Sequence, residues 1–320
     1  METINEQAAW NTIDRTVGLE AAARRRKAKW HRDAIKIAVV DTGVMRGHVA
    51  LKFDDIACSV VVERPNGHKP RAREKRVDDD VTRSDSGAAS HGTRLAGLIA
   101  AVTGNAVTQS PTRTPVELLA VKFFTALDPL SATGAAAAIR HAVDRGARIV
   151  NLSWDVTMDT DHAVKHAIEH ALERRVLVVV AAGHNSANID SRLIVPASYD
   201  LPNVLTVMAI GGDLKPIAKS NRGPLRVGIA APGKNLTTTR SYLPGSRNST
   251  DSNCFGTFTG TSAATAMVTG VAAVVLSCKP NLDPAALRKV IEDSAIQTEA
   301  LTGACRANGY VSLSKAVALL

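Results

Sequence analysis

Apolar positions follow two periodicities that alternate along most of the chain. Ile35-Lys36-Ile37-Ala38-Val39-Val40 is nearly continuous apolar sequence and predicts a buried strand, closed by the turn triplet Asp41-Thr42-Gly43. Ile56 to Val62 predicts a second strand. Residues 63–87 are polar, charged and punctuated by Gly and Pro, which predicts a long surface loop. From His91 the spacing becomes helical, and His91-Gly-Thr-Arg-Leu-Ala-Gly-Leu-Ile-Ala-Ala predicts a buried helix. Further strands are predicted at Val116–Val121, Ala147–Leu152, Val176–Ala182, Val204–Ile210 and Val227–Ala230. Helices are predicted over Ala132–Asp144 and Asp161–Arg174. Ser262–Ser277 is apolar nearly all round and predicts a central helix, with surface helices at Pro284–Asp293 and Ser312–Leu319. Strands apolar on both faces and separated by helices predict an α/β fold: a mostly parallel sheet with helices on both faces.

Residues 1–33 stand apart. Trp10, Ile13, Val17 and Leu19 recur at near-helical spacing, and Arg24-Arg25-Arg26-Lys27-Ala28-Lys29 follows. They predict a basic helical arm ahead of a single domain at 34–320, since no repeat or Gly/Ser linker divides the rest. Only 3% of the 320 residues are aromatic, so the core must be built from Ala, Val, Leu and Ile. The net charge of +9 collects in residues 24–29 and 64–76. Neither cluster carries interleaved aromatics to stack on bases, so neither a nucleic acid nor a membrane is expected as a partner. The four cysteines, Cys58, Cys254, Cys278 and Cys305, form no CxxC pair, which argues against zinc. The first residues lack the apolar core of a signal peptide, and no apolar run approaches a membrane span. A cytoplasmic protein with free thiols is expected; a disulfide among Cys254, Cys278 and Cys305 is the alternative for an exported one.

Three short stretches carry candidate chemistry: Val40-Asp41-Thr42-Gly43, Ser90-His91-Gly92-Thr93 and Gly260-Thr261-Ser262-Ala263-Ala264. A serine hydroxyl attacks a carbonyl only when a histidine takes its proton and a carboxylate orients that histidine. Taken singly, an Asp at a strand end is a turn residue, and a His or Ser at a helix start is a cap. Taken together, in the order Asp, His, Ser, they resemble the catalytic blocks of the subtilisin-like serine peptidases. Val116–Lys122, Ile149–Trp154, Val178–Gly183, Val195-Pro-Ala-Ser-Tyr, Ser220-Asn221 with Gly223, and Ala231-Pro232-Gly233 resemble further blocks of that family, in order.

The resemblance implies a subtilisin-like three-layer sandwich and a triad of Asp41, His91 and Ser262. It implies substrate binding by Ser153, Trp154 and Asp155 on one strand and by Ala181, Ala182 and Gly183 on the next. Where the family usually has Asn as an oxyanion donor after Ala-Ala-Gly, this chain has His184; Asn185 reaches that place only through a one-residue bulge. Where the family commonly has Gly after the Ser-Trp pair, this chain has Asp155, which is either a tolerated loop residue, a side chain that crowds an extended substrate, or a carboxylate that favours Lys or Arg near the cleaved bond. The loop from Thr103 to Pro115 has no recognisable calcium loop, so no cofactor is expected and calcium stays open. The implied function is an intracellular serine endopeptidase acting on peptides or proteins through an acyl-enzyme. The alternative is a weakly active or inactive module that binds a peptide or protein partner in the substrate groove. As in the intracellular members that the chain resembles, residues 1–33 either lie across the site as an autoinhibitory arm or dock as a plain helix.

Overall fold

The structure is a computed structural model that describes residues 33–45, 47–48, 50–53, 55–62, 71–74, 90–104, 114–123, 131–156, 159–241 and 255–320. The predicted arm therefore lies outside the described residues except for Asp33, as does most of the predicted loop 63–87. Strands β1 (Ile35–Asp41), β2 (Asp55–Val62), β3 (Arg71–Glu74), β4 (Val116–Lys122), β5 (Ile149–Leu152) and β6 (Leu177–Ala181) come first. They are followed by β7 (Val204–Ile210), β8 (Val227–Pro232), β9 (Leu236–Thr239), β10 (Phe255–Phe258), β11 (Ile296–Gln297) and β12 (Gly309–Tyr310). The helices are α1 (His91–Thr103), α2 (Ala132–Asp144), α3 (Ala163–Glu173), α4 (Thr261–Cys278), α5 (Pro284–Asp293) and α6 (Leu313–Ala318).

Ten strands form one sheet in the order β11-β12-β8-β7-β6-β5-β1-β4-β2-β3, and β9 pairs with β10 in a separate hairpin. Every pairing from β12 to β2 across that order is parallel; β3 and β11 are antiparallel additions at the two edges. Alternation along β1 shows why the sheet is covered twice. Ile35, Ile37 and Val39 enter a core built with α1, α4, α5 and α6. Ala38 and Val40 enter the opposite core, built with α2 and α3. A strand of this kind has no solvent face, so its sequence reads as one apolar run.

Helix α4 is buried from Thr261 through Ser277, which explains a pattern with no polar stripe. Its 18 residues have a mean hydropathy of 1.7, so an apolar segment of membrane-span length does exist, contrary to the expectation above; 94% of it is buried inside the fold. It crosses α1 at close range: a Cβ added at Gly270 would lie 2.6 Å from Val102 Cβ.

Two further expectations are corrected. The polar stretch 63–87 is not all loop, because β3 pairs antiparallel with β2, Val61 opposite Ala72. Its Arg-Ala-Arg-Glu sequence lacks apolar contrast because it is an edge strand. Helix α3 begins later than Asp161. His162 takes a left-handed conformation (φ 53°) and Asp159 caps the helix instead, its carboxylate accepting from the amides of Val164 (3.1 Å) and Lys165 (3.2 Å). Cys278 and Cys305 are not joined to each other. The Cys305 thiol is buried, donates to the carbonyl of Gly309 (3.5 Å), and has its pKa raised by that burial.

Candidate active site

Parallel strands deliver their C-terminal ends to one edge, and here the chain passes from β4 on one side of β1 to β5 on the other. Such a switch point leaves a crevice at the strand ends. Asp41 ends β1, Ser153 follows β5, and Ala181 ends β6. Helices α1 and α4 start with His91 and Thr261-Ser262, so both bring their N-terminal ends to the site.

Asp41 is fully buried. Its Oδ1 accepts from the Thr42 amide (2.8 Å), and its two oxygens lie 2.9 and 3.0 Å from His91 Nδ1. This both-oxygen contact fixes the imidazole plane and favours a proton on Nδ1. The small residues beside both groups make the approach possible. The Gly92 amide donates to Thr42 Oγ1 (3.0 Å), and a Cβ on Gly92 would stand 2.0 Å from the Gly43 carbonyl oxygen. Gly43 itself takes φ 103°, open to glycine at little cost. The His91 ring is held from another side by the edge-on ring of Phe258 (5.4 Å between centroids, 84°). Arg94 in turn covers Phe258, its guanidinium 5.7 Å from that ring's centroid. Sequence reasoning missed Phe258. It lies on the hairpin strand leading into α4, and an isolated Phe-Gly-Thr-Phe gives no catalytic signal.

Ser262 is buried at the start of α4. Its hydroxyl donates to the carbonyl of Ser153 (3.1 Å), and Ser153 Oγ donates back to the carbonyl of Ser262 (3.3 Å). Asn151 anchors this exchange by donating to Ser153 Oγ (2.9 Å) while accepting from Thr269 Oγ1 (2.9 Å). The segment Ser153-Trp154-Asp155 is thus stitched to the helix that carries Ser262. Trp154 is buried, donates from Nε1 to the carbonyl of Val40 (2.7 Å) and packs edge-on to Phe123. It is a structural anchor as placed here. Val156, paired with Val195, fixes the far end of the segment (3.0 Å). Asp155 is exposed, and its Oδ2 would stand 3.6 Å from a Cβ on Gly183, across the crevice.

Ala181 and Ala182 are buried beside Gly183, which turns the chain at φ 95°. Asn221 holds that turn. Its Nδ2 donates to the carbonyl of Ala182 (2.7 Å), and its Oδ1 accepts from the amides of Asn185 (2.9 Å) and Ala187 (2.9 Å). The Asn185 backbone amide is thus spent on Asn221. The His184 ring lies against the residues just ahead of Ser262: Nε2 is 3.3 Å from Thr261 Oγ1, and Cε1 would be 2.8 Å from a Cβ on Gly260. Gly260 meets this ring at φ 149° with no Cβ. Packing there pushes the His184 pKa below its ordinary value; Asp155 opposes the shift, while His91 and Lys219 add to it.

The model of the subtilase family matches residues 32–312. Thermitase of Thermoactinomyces vulgaris is 30% identical over 282 residues, 88% of this chain and 88% of that protein. Fervidolysin of Fervidobacterium pennivorans is 31% identical over 285 residues, 82% of this chain; the match spans only 37% of fervidolysin's length. Among solved structures, a Ser-to-Ala variant of the PatA protease domain superposes with a TM-score of 0.69 at 25% identity, covering 92% of this chain and 97% of that one. The fold, the length of chain matched and the relatives agree: this chain belongs to the subtilase family of serine peptidases.

Proposed function

We propose that the chain is an intracellular serine endopeptidase that cleaves peptide bonds through an acyl-enzyme on Ser262. The observation that carries the reading is the buried Asp41 carboxylate holding His91 Nδ1 at 2.9 and 3.0 Å beside the start of the Ser262 helix. With Nδ1 protonated, Nε2 serves as the general base. Ser262 Oγ turns from the Ser153 carbonyl toward it, loses its proton to Nε2 and attacks the substrate carbonyl. His91, now imidazolium and stabilised by Asp41, then protonates the leaving amine, and a water repeats the sequence to release the acid. The negative oxygen of each tetrahedral intermediate is met by the Ser262 amide, at the positive end of α4, and by an N–H of His184.

For the acyl half of the substrate we propose the segment Ser153–Asp155, with Asp155 favouring Lys or Arg. Profiling with peptide mixtures is expected to show that preference and Asp155→Ala to remove it; equal cleavage of neutral and basic peptides rejects it. For residues 1–33 we propose an autoinhibitory arm, since the run Arg24–Lys29 has the charge that Asp155 attracts. Deleting 1–33 is then expected to raise kcat/KM, and unchanged activity rejects the role. A second reading, a peptide-binding module with little turnover, draws on the Ser262 hydroxyl being engaged with Ser153 and on the replacement of the family's Asn by His184. Hydrolysis of an unfolded protein separates the two: fragments from the full chain and none from Ser262→Ala support the endopeptidase, whereas no fragments from either support the module.

A further inference from the structure

Burial lowers the His184 pKa, Asp155 opposes that shift, and His91 and Lys219 add to it. Lys219 belongs to a pocket of about 340 Å³ bordered by His184, Thr259 and Gly260, the residues just ahead of the nucleophile's helix. Lys215 and Lys234 also line it. Among the described residues, none of these three ammonium groups is within ion-pairing distance of a carboxylate. Asp213, the pocket's acidic residue, accepts from the backbone amide of Lys215 (3.3 Å). The pocket therefore presents three cations against one anion, in a recess bordered by Gly260, two residues ahead of Ser262.

Its place relative to the cleaved bond follows from the proposed endopeptidase reading, on which this inference rests. The acyl half lies along Ser153–Asp155, and the scissile carbonyl sits between the Ser262 amide and His184. An extended substrate cannot double back, so its leaving half departs on the far side of His184 from Asp155, past Thr259 and Gly260. We propose that this pocket binds the leaving half of the substrate and selects a carboxylate there, from an Asp or Glu side chain or from the substrate's own C-terminus. With Asp155 on the other side, the crevice is then polarised, favouring a basic residue before the cleaved bond and an acidic one after it.

The test uses the full chain and peptides that share one acyl half. Their leaving halves carry Glu, Gln or Lys in the first positions, each made with a free or an amidated C-terminus. Solvent-exposed charge pairs contribute about 0.2–1 kcal/mol each, so one such pair is expected to raise kcat/KM for Glu over Gln by roughly 1.4-fold to fivefold at low salt. The gap should shrink as salt screens it, and Lys should be slowest. A gain tied to the free C-terminus instead identifies that carboxylate as the ligand. The double variant Lys219→Glu/Lys234→Glu should reverse the order of Glu and Lys while still cleaving the Gln peptide. Equal kcat/KM for Glu, Gln and free-acid peptides, or a preference that the double variant leaves unchanged, overturns the proposal. If the wild type cleaves nothing beyond Ser262→Ala, the endopeptidase reading fails instead. Anisotropy titration of the labelled leaving-half peptides then still decides the pocket: tighter binding of Glu supports it, equal binding of Glu and Gln overturns it.

Discussion

At the scale of single residues, the site depends on contacts that tolerate little substitution. Asp41 has its carboxylate committed to Thr42 and His91 with no exposure to water. Asp41→Asn keeps the shape but presents an amide to Nδ1 and favours the wrong tautomer. It is expected to lower kcat by about 10⁴ with the fold intact, measured by steady-state kinetics beside circular dichroism. His184→Ala removes a donor to the developing oxyanion and is expected to lower kcat by about 10²-fold with KM nearly unchanged. His184→Asn should recover most of that loss; equal kcat in all three forms rejects the role. His184 also makes a signed pH prediction. Its folded pKa lies below the ordinary 6.5, so the unfolded chain binds more protons just below that pH and stability falls as acid is added. Thermal melts between neutral pH and the region below 6.5 should be steeper for wild type than for His184→Asn. The Asp41, His91 and Ser262 blocks stood out in the sequence because acyl chemistry demands particular residue types with small neighbours. The grips of Phe258 on His91 and of Asn221 on the His184 turn did not, because an edge-on ring and a three-way amide are set by tertiary neighbours.

At the scale of elements, catalysis depends on two helices meeting. α1 carries His91 and α4 carries Ser262, and they cross where Gly270 touches Val102. Gly270→Val inserts volume into that crossing. It should destabilise by about 1–3 kcal/mol, read as a lower Tm, and reduce kcat by displacing His91 from Ser262. Unchanged Tm and kcat would mean that the crossing does not set their distance. Strands with two buried faces were plain in the sequence, and Val204–Ile210 matches its predicted bounds. The hairpin of β9 and β10 was missed, since Leu-Thr-Thr-Thr and Phe-Gly-Thr-Phe carry weak apolar contrast. So was the charged edge strand β3. Helix limits moved where a local cap decided them, as Asp159 does ahead of Ala163.

At the scale of the whole molecule, the sequence indicated an α/β sandwich but not its strand order. Neighbouring strands such as β1 and β5 are far apart in the chain, and no periodicity encodes that pairing. The order matters because it puts the ends of β1, β5 and β6 side by side and so brings Asp41, Ser153 and Gly183 to one crevice. The same edge gathers the two charge fields, acidic at Asp155 and basic at Lys215, Lys219 and Lys234. The central claim is that this crevice performs acyl chemistry on Ser262. Labelling the full chain with a fluorophosphonate and locating the adduct by mass spectrometry tests it most directly. One adduct on Ser262 is expected, formed far more slowly in His91→Ala and absent in Ser262→Ala. An unlabelled wild type, or an adduct on another serine that survives Ser262→Ala, would contradict it.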